Sequence, residues 1–339
     1  MEYRKVLLVA ERDTITGRLK SGPSLRLKYG VEGYRFILKE DPYSQSRYVR
    51  NFSFNSMTAL YMFLKALLQR TINVNGDFDF VHAFFWTFYR YRKPWIHEND
   101  QSPSQLIFNY FKMRNGFGQR VVDMIASLLN GSHAVITWTD YAAKGFVNDG
   151  VEKHLVHMIP LPMEVKCHKK EHAGINVLFV GRDYFRKGGD IALKAITEII
   201  EKHTEVRFTY VGKALVPDHP RIKHYEGLPR KQLEELYRSS DILLYPSRDE
   251  AYGLAALEAL SYGIPVIASN LPSLREIVDD SVDGYIARSQ EDYSEKLEEL
   301  ISSPDKLKGF SKMACERVRV KHDPKKIGDE LKKVYESIG

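Results

Sequence analysis

The second half of the chain alternates short apolar runs with segments of helical pattern, and this rhythm limits the possible folds more than any other feature. Runs of four to seven residues, two of them ending in Gly181 and Gly212, are separated by stretches with apolar positions at helical spacing. Such βαβα alternation is typical of a doubly wound parallel sheet. We place the strands at 177–181, 206–212, 242–246 and 265–268, with helices at 190–203, 230–239 and 253–262.

The first half repeats the same α/β pattern. We predict buried strands at its apolar runs, which are 6–10, 34–38, 80–84 and 134–137, and helices at 56–72 and 105–129. We therefore expect two Rossmann-like doubly wound domains that face a cleft. Our predicted boundaries are 1–170 and 171–323, and we expect the helix 324–339, which follows a break at Pro324, to pack back on the first domain.

Charge is distributed unevenly along the chain. Residues 1–170 carry 24 Lys and Arg against 15 Asp and Glu, a balance of +9, whereas residues 171–339 carry 26 against 29, a balance of −3. The first domain is therefore expected to favour an anionic partner, such as a membrane surface, unless its basic face is only solvated. The helix at 56–72 is either a core-facing helix or an amphipathic membrane contact.

The cysteines and the longest apolar runs indicate the compartment. Cys167 and Cys315 lie far apart and fit no metal-binding spacing, so we interpret them as free thiols in a reducing environment. No apolar run reaches the ~18–20 residues that a membrane span needs. We expect a cytoplasmic protein that is soluble or peripheral at the cytoplasmic face of a membrane.

Residues 246–258, PSRDEAYGLAALE, lie where a strand ends and a helix begins. The amides of such a turn and the positive end of the helix dipole suit a phosphate or polar sugar oxygens. Gly253 allows close approach of the backbone. Glu250 lies in the loop, whereas Glu258 lies among apolar helix residues, where a carboxylate needs a hydrogen-bonding partner such as a ribose hydroxyl. Two isolated glutamates would equally fit an ordinary helix start.

A second strand-to-helix turn, VGRDYFRKGGD at 180–190, places cations between glycines. Arg182 and Lys187 are suited to hold a diphosphate, with Arg186 as an alternative cation. A plain cationic helix start would produce the same pattern.

Together these segments resemble the donor site of glycosyltransferase family 4, which has the GT-B fold. The first segment matches the family pattern P-S-x-x-E-x-F-G-L-x-x-x-E-A-x-x-x-G-x-P-V-I-A, with Tyr252 in place of Phe. The second turn matches the family pattern V-G-R-x-x-x-x-K-G. The resemblance implies a retaining hexosyltransferase that uses a nucleotide diphosphate sugar and requires no metal or other cofactor. It implies that Glu258 binds ribose, Glu250 binds the transferred sugar, and Arg182 and Lys187 bind the phosphates.

The resemblance also implies further contacts to the donor and the acceptor. The sugar and phosphates would be lined by Tyr252, Gly253 and Leu254. The base would lie near Val211, Lys213 and Leu228, and Gly181 is a further donor-binding residue. The segment WIHEND is similar to the family's T-x-H-D, which makes His97 a candidate catalytic residue beside the sugar and Trp95 an acceptor-side residue. A structural histidine is the alternative. The family's Gly-Gly pair after the first strand is missing, and we expect Gly17 or Gly22 to take its place on the acceptor side.

Other functional classes fit the sequence less well. Asp77 and Asp79 match a D-x-D metal motif but lie far from the donor motifs, so we assign no metal site. The aromatic and basic run 84–95 comes without a nucleic-acid-binding motif, so we expect no nucleic acid partner. A nucleotide-sugar epimerase, a phosphorylase, or a non-catalytic nucleotide-sugar or polyanion binder remain alternatives. The acceptor is an unidentified hydroxyl compound: a glycan, a lipid or a small molecule.

Overall fold

The computed structural model describes residues 3–12, 18–40, 74–85, 91–167 and 172–338. The chain divides into two compact units. Unit 1 comprises Met1–Pro162 and Pro324–Gly339, and unit 2 comprises Met163–Asp323. Within the described residues, each unit contains one six-stranded sheet, and all the strand pairs of both sheets are parallel.

Unit 1 has the strand order β2-β1-β3-β4-β5-β6. Its strands are β1 (Arg4–Ala10), β2 (Tyr34–Glu40), β3 (Phe80–Phe84), β4 (Trp95–Glu98), β5 (Ala134–Thr137) and β6 (Val156–Met158). Its helices are α1 (Ser21–Tyr29), α2 (Gly116–Leu129), α3 (Asp140–Asn148) and α10 (Pro324–Glu336), with a π-helical turn at Gln105–Tyr110 and a 3₁₀ turn at Lys153–Leu155.

The sheet of unit 1 is covered on both faces, which explains the continuous apolar runs of its strands. On one face, Val6, Phe80 and Ile96 pack against Leu331 and Tyr335 of α10. The other face packs on α2 and the π-helical turn. Buried parallel strands are expected to be apolar throughout, because neither face contacts water.

The single helix predicted over 105–129 is wrong. A π-helical turn ends at Tyr110, Lys112 adopts a positive φ of 58°, and α2 begins only after Asn115. The Asn115 side chain accepts a hydrogen bond of 2.8 Å from the amide of Gly118. This N-cap signal lies inside an apolar pattern that continues through the break, so periodicity alone did not reveal it.

Unit 2 has the strand order β12-β11-β10-β7-β8-β9. Its strands are β7 (Ile175–Val180), β8 (Val206–Val211), β9 (Ile222–Tyr225), β10 (Ile242–Tyr245), β11 (Val266–Ser269) and β12 (Gly284–Ala287). Its helices are α4 (Gly189–Lys202), α5 (Arg230–Arg238), α6 (Leu254–Ser261), α7 (Leu274–Ile277), α8 (Glu291–Ile301) and α9 (Pro304–Lys321). Because β7 pairs with β8 on one side and β10 on the other, the strand order reverses at β7 and β10, where such sheets bind ligands.

The expectation of two free thiols is wrong, because Cys167 and Cys315 form a disulfide across 148 positions of sequence. The bond joins the segment before β7 to α9. Cys167 Sγ also lies 3.4 Å from the carbonyl oxygen of Ser261, at the end of α6. The spacing of the two cysteines in the sequence could not predict this bond, because the fold of unit 2 brings them together. The two cysteines therefore no longer support the inference of a reducing compartment.

Among the described residues, no helix combines the length and the apolar character that crossing a membrane requires.

Candidate active site

Two loops meet at the carboxyl ends of β7 and β10, and backbone contacts hold them together. The amide of Arg248 donates to the carbonyl of Arg186 at 2.8 Å. The Arg248 guanidinium forms two bonds of 2.7 Å with the Asp190 carboxylate and lies 4.2 Å from the ring centroid of Phe185. We call residues 181–188 the β7 loop and residues 246–253 the β10 loop. The two predicted motifs are thus neighbours at one point of the sheet.

Glycines make this close approach possible. Gly188 has a φ of +71°, and a Cβ there would lie 1.9 Å from the carbonyl oxygen of Pro246. A Cβ on Gly181 would lie 2.7 Å from Cβ of Lys187. Only residues without a side chain fit these positions, so the β7 loop folds back over the end of its own strand and rests on the β10 loop.

Lys187, Glu250 and Tyr245 form a nearly buried polar cluster where the loops meet. Lys187 Nζ and the Tyr245 hydroxyl both donate to Glu250 Oε2. Lys187 Nζ also lies 3.3 Å from the Tyr245 hydroxyl. The Lys187 and Glu250 side chains are 14% and 12% exposed, so the pair is weakly screened by solvent.

Electrostatics keep the carboxyl group of this cluster ionised. Burial alone would raise the pKa of Glu250, and this is the largest single effect. The charge and hydrogen bond of Lys187, the Tyr245 hydroxyl and the charge of Arg186 together outweigh burial and lower the pKa. Burial, followed by the Glu250 charge, raises the pKa of Tyr245 well above its ordinary value. At neutral pH the cluster therefore contains a cation, an anion and a neutral phenol.

Glu258 is 8% exposed on α6, and its carboxylate is paired within the protein. Its Oε1 accepts a hydrogen bond from Arg230 Nη1, and Arg230 Nε lies 3.0 Å from Glu234 Oε1. Burial lowers the pKa of Arg230, but Glu258 and Glu234 more than compensate and raise it. The partner that a carboxylate needs in this apolar helix is thus an arginine that is itself 42% exposed.

The other donor-side candidates occupy the same end of the unit 2 sheet. Arg182 is exposed on the β7 loop. Gly253 has a φ of +98° and is the N-cap of α6, between buried Tyr252 and half-buried Leu254. At the end of β8 and in the segment before α5 lie buried Val211, exposed Lys213 and half-buried Leu228.

The first-half candidates lie in the core of unit 1 or outside the described residues. Trp95 is 3% exposed and His97 is fully buried, both in β4. Burial first, and then the charge of His82, lowers the pKa of His97 to about 3, so its ring is neutral at physiological pH. Gly17 and the helix predicted at 56–72 lie outside the described residues.

A buried ionic network centred on Glu98 lies beside His97. Glu98 Oε1 accepts from Trp138 Nε1 at 2.6 Å and from Arg26 Nε at 3.1 Å, and Oε2 lies 2.9 Å from His82 Nε2. His82 Nδ1 lies 2.7 Å from the Tyr335 hydroxyl on α10. Burial would raise the pKa of Glu98, but Arg26, His82 and Trp138 lower it. Arg26, His82, Trp138 and Tyr335 are all buried in the core, which favours a structural role for this network.

The D-x-D motif and the aromatic run 84–95, to which we assigned no metal and no nucleic acid, make contacts within unit 1. Asp79 Oδ2 accepts a 2.6 Å hydrogen bond from the amide of Lys5, and Asp77 pairs with the Lys5 ammonium. Of the aromatic run 84–95, the described residues Phe84, Tyr91 and Trp95 are buried.

Three residues of the site owe their role to tertiary contacts and were not predicted from the sequence. Arg230 was read only as the start of a helix, and Tyr245 only as the end of a strand. Arg248, which joins the two loops, was an unspecified position of the motif. Only the position of Arg230 directly after the predicted base-binding segment could have marked it in advance.

Comparisons with known proteins agree with this architecture. Residues 165–317 match the family model of glycosyl transferases group 1. Spore coat protein SA of Bacillus subtilis is 28% identical over an alignment that covers 97% of this chain and 91% of that protein. A 41.2 kDa protein in the cps region of Klebsiella pneumoniae is 30% identical over 52% of this chain and 53% of its own length. A D-inositol 3-phosphate glycosyltransferase of Segniliparus rotundus is 31% identical over 40% of this chain and 34% of its own length. The chain thus spans about half the length of the Klebsiella protein and about a third of the length of the Segniliparus protein.

Solved structures extend the similarity to both units. HepE of Anabaena in complex with UDP and glucose has a TM-score of 0.72 at 15% identity and covers 99% of this chain and 100% of its own. Sucrose-phosphate synthase of Thermosynechococcus elongatus has a TM-score of 0.71 at 16% identity, with 99% of both chains covered. At these identities the similarity establishes the fold.

Two parallel α/β units with these structural neighbours define a GT-B glycosyltransferase fold. Within this fold, residues 165–317 match the domain of the glycosyl transferases group 1.

Proposed function

We propose that this protein transfers a hexosyl group from a nucleotide diphosphate sugar to a hydroxyl acceptor, with retention of anomeric configuration and without a metal requirement. The observation that carries the proposal is the cluster of Lys187, Glu250 and Tyr245 where the β7 and β10 loops meet. It lies inside the family domain and at the point where open α/β sheets bind their ligands.

Each charged group has a task in this proposal. Lys187 and Arg182 neutralise the diphosphate as it leaves, which stabilises charge that develops in the transition state. Glu250, held ionised by its neighbours, accepts hydrogen bonds from hydroxyls of the transferred sugar. Glu258 accepts hydrogen bonds from the ribose, and Arg230 holds its carboxylate in place. Catalysis then rests on positioning and electrostatics, and the leaving phosphate assists removal of the acceptor proton.

Uridine diphosphate sugars are the donors to test first. The HepE structure holds UDP and glucose, and the loops that follow β7 and β10 in this chain lie within residues 165–317, which match the family model. Val211, Lys213 and Leu228 are the residues proposed to surround the base. The relevant experiment is calorimetric titration of the full chain with UDP-glucose and with nucleotide sugars that differ in base or sugar.

Glu258→Gln tests the proposed ribose contact. Loss of a charged hydrogen bond costs about 1.5–3 kcal/mol, so the donor dissociation constant should rise about tenfold or more. Glu234→Gln is the matched control, because it removes an equal charge from the same arginine without touching the proposed ribose site. Equal donor affinity in Glu258→Gln and wild type would refute the assigned role.

The reaction itself is tested by product analysis. NMR of the anomeric proton, with a donor of known configuration, should show the same configuration in the product, and excess EDTA should not reduce the rate. Epimerised donor without transfer would indicate an epimerase, and transfer to inorganic phosphate a phosphorylase. Saturable binding of a donor with neither hydrolysis nor transfer to any hydroxyl compound would indicate a binding protein.

Partners other than the donor are proposals with their own test. The excess of basic residues in 1–170 supports an anionic acceptor or an anionic membrane surface. Flotation with liposomes that contain anionic lipid, compared with neutral liposomes, distinguishes membrane binding from binding of a soluble acceptor.

A further inference from the structure

Unit 1 contains a polar groove whose lining residues have no role in the proposed donor site. It has a volume of about 950 Å³ and lies between the π-helical turn, the start of α2 and one face of α3. These elements adjoin β4 and β5, whereas the strand order of this sheet reverses at β1 and β3. Trp95 and Gly22, the described residues among the predicted acceptor-side positions, do not line the groove.

The groove has a fixed floor. A Cβ on Gly145 of α3 would lie 2.6 Å from both Gln105 Nε2 and Ser102 Oγ, so α3 packs directly on the π-helical turn. Gln105 Nε2 donates to the carbonyl of Tyr141 at 3.0 Å, and its Oε1 accepts from the amide of Ser102 at 3.0 Å. The floor is therefore built from satisfied contacts and does not need a ligand to form.

The walls are rich in groups that bind carbohydrate. The amide side chains of Asn109, Gln119 and Asn148 line the groove, and an amide offers a donor and an acceptor to neighbouring hydroxyls. The half-buried rings of Phe108 and Tyr141 add apolar surface. A few polar groups among aromatic surfaces are typical of small-molecule sites, whose volumes are about 300–1,000 Å³. A volume near the upper limit suits an oligosaccharide better than a single ion.

The charge of the groove is one-sided. Exposed Arg114 and Lys144 line it, and none of its described lining residues is Asp or Glu. Arg114 Nη2 donates to Asn109 Oδ1 at 2.7 Å, which orients the guanidinium at the end of the π-helical turn. Asn115 and Gly116 place the positive end of the α2 dipole at the same wall. Two carboxylates outside the lining are hydrogen-bonded within the protein: Asp149 accepts from the amide of Ser104 at 2.7 Å, and Asp123 accepts from Gln119 at 2.8 Å.

We propose that this groove binds an acidic oligosaccharide, with Arg114, Lys144 and the α2 amino terminus holding its carboxylate, sulfate or phosphate groups and the amide side chains holding its hydroxyls. The groove shares no residue with the proposed donor site, since all of its lining residues belong to unit 1 and none lies in the segment that matches the family model.

Calorimetric titration of the full chain with oligogalacturonate tests the proposal. The double variant Arg114→Gln with Lys144→Gln should weaken binding at least about tenfold, because two charged contacts are lost. A second variant, Asn148→Asp, keeps both cations and adds a repulsive carboxylate at an exposed helix end, so it should also weaken binding. The matched control is Arg120→Gln with Lys153→Gln, which removes the same charge from exposed positions outside the groove and should bind as wild type.

Four results would overturn the proposal. The first is no binding of oligogalacturonate, and the second is equal binding of a neutral maltooligosaccharide of the same length. The third is equal loss of affinity in the groove variants and the control, which would indicate a general charge effect. The fourth is equally strong binding of inorganic phosphate alone, which would indicate an anion site without carbohydrate recognition. Donor affinity, measured in parallel, should be unchanged in all these variants, so failure here is distinguishable from failure of the proposed function.

Discussion

Lys187 and Glu250 are the two residues whose pairing most directly links the structure to the proposed chemistry. Lys187→Met keeps the length of the stem but removes the cation beside Glu250 and Tyr245. Loss of a preorganised charge that stabilises the transition state typically costs 10²–10³ in turnover, so we expect kcat to fall by about that factor. The measurement is steady-state transfer with a saturating donor.

The control for this prediction is Lys194→Met, an exposed lysine on α4. Its turnover should match that of wild type. A kcat for Lys187→Met within threefold of wild type, with an unchanged melting temperature, would show that the diphosphate is stabilised by other cations, with Arg186 and Arg182 the first to test.

His97 predicts a pH dependence of stability. Its pKa is about 3 in the folded protein, below its ordinary value of 6.5, because it is buried. Between these pH values the unfolded chain binds a proton that the folded protein does not, so the free energy of unfolding falls as pH decreases from about 6.5 towards 3. Above pH 6.5 this contribution is complete. Melting temperatures from pH 7.5 to 4.5 should fall less steeply in His97→Gln than in wild type.

The exposed His154→Gln variant is the control for this series. If His97→Gln follows the wild-type slope, the ring is not held neutral by burial, and a role for His97 beside the transferred sugar gains support. The pH dependence of transfer gives independent evidence, since a ring with a pKa of about 3 produces no inflection near pH 6.5.

At the scale of residues, the sequence predicted the donor-side positions from spacing but not their partners. The two glutamates were placed by a motif, and their burial was expected from the apolar residues around Glu258. Their partners could not be predicted, because Arg230 is 28 positions away from Glu258 and Lys187 is 63 positions away from Glu250. Such pairs depend on the order of the strands in the sheet and on the placement of the helices that follow them.

At the scale of elements, the junction of the β7 and β10 loops depends on Gly188. Gly188→Ala combines a left-handed φ of +71° with a Cβ 1.9 Å from the Pro246 carbonyl oxygen. The backbone term alone costs about 1–3 kcal/mol, and the clash forces the loops apart. We expect lower stability and a loss of donor binding, measured by denaturant unfolding and by calorimetry.

Gly309→Ala provides the comparison within unit 2. Gly309 lies in α9, and a Cβ there meets no atom within 4 Å. Alanine in a helix is favoured over glycine by about 1 kcal/mol, so this variant should be as stable as wild type or slightly more stable. Equal donor binding in the two variants would argue against a role for loop contact.

Elements with strong patterns were the ones predicted from the sequence. The central strands of both units are continuous apolar runs, because both of their faces are buried. The edge strands β6, β9 and β12 were missed, because none of them carries an apolar run of four residues. The break between the π-helical turn and α2 was missed for the opposite reason, because the apolar pattern runs through it.

At the scale of the whole molecule, the disulfide between Cys167 and Cys315 closes a loop that contains most of unit 2. Cross-links of this kind typically stabilise a fold by about 2–5 kcal/mol, so reduction should lower the melting temperature of unit 2 by about 5–15 °C. Differential scanning calorimetry with and without dithiothreitol measures the shift. Cys167→Ser should melt at the lower temperature and should not respond to the reductant. A reductant-independent wild type would show that the bond does not form in solution.

The placement of α10 has a consequence for synthesis on the ribosome. The sheet of unit 1 needs Leu331 and Tyr335 to cover Val6 and Phe80, yet all of unit 2 is translated between these segments. At about 5–20 residues per second, that interval lasts roughly 10–30 s. During this time one face of the nascent unit 1 sheet remains uncovered. Unit 2, although most of unit 1 is translated before it, can therefore complete its core first. Slow codons or a chaperone contact late in the message should therefore affect the yield of folded protein through unit 1.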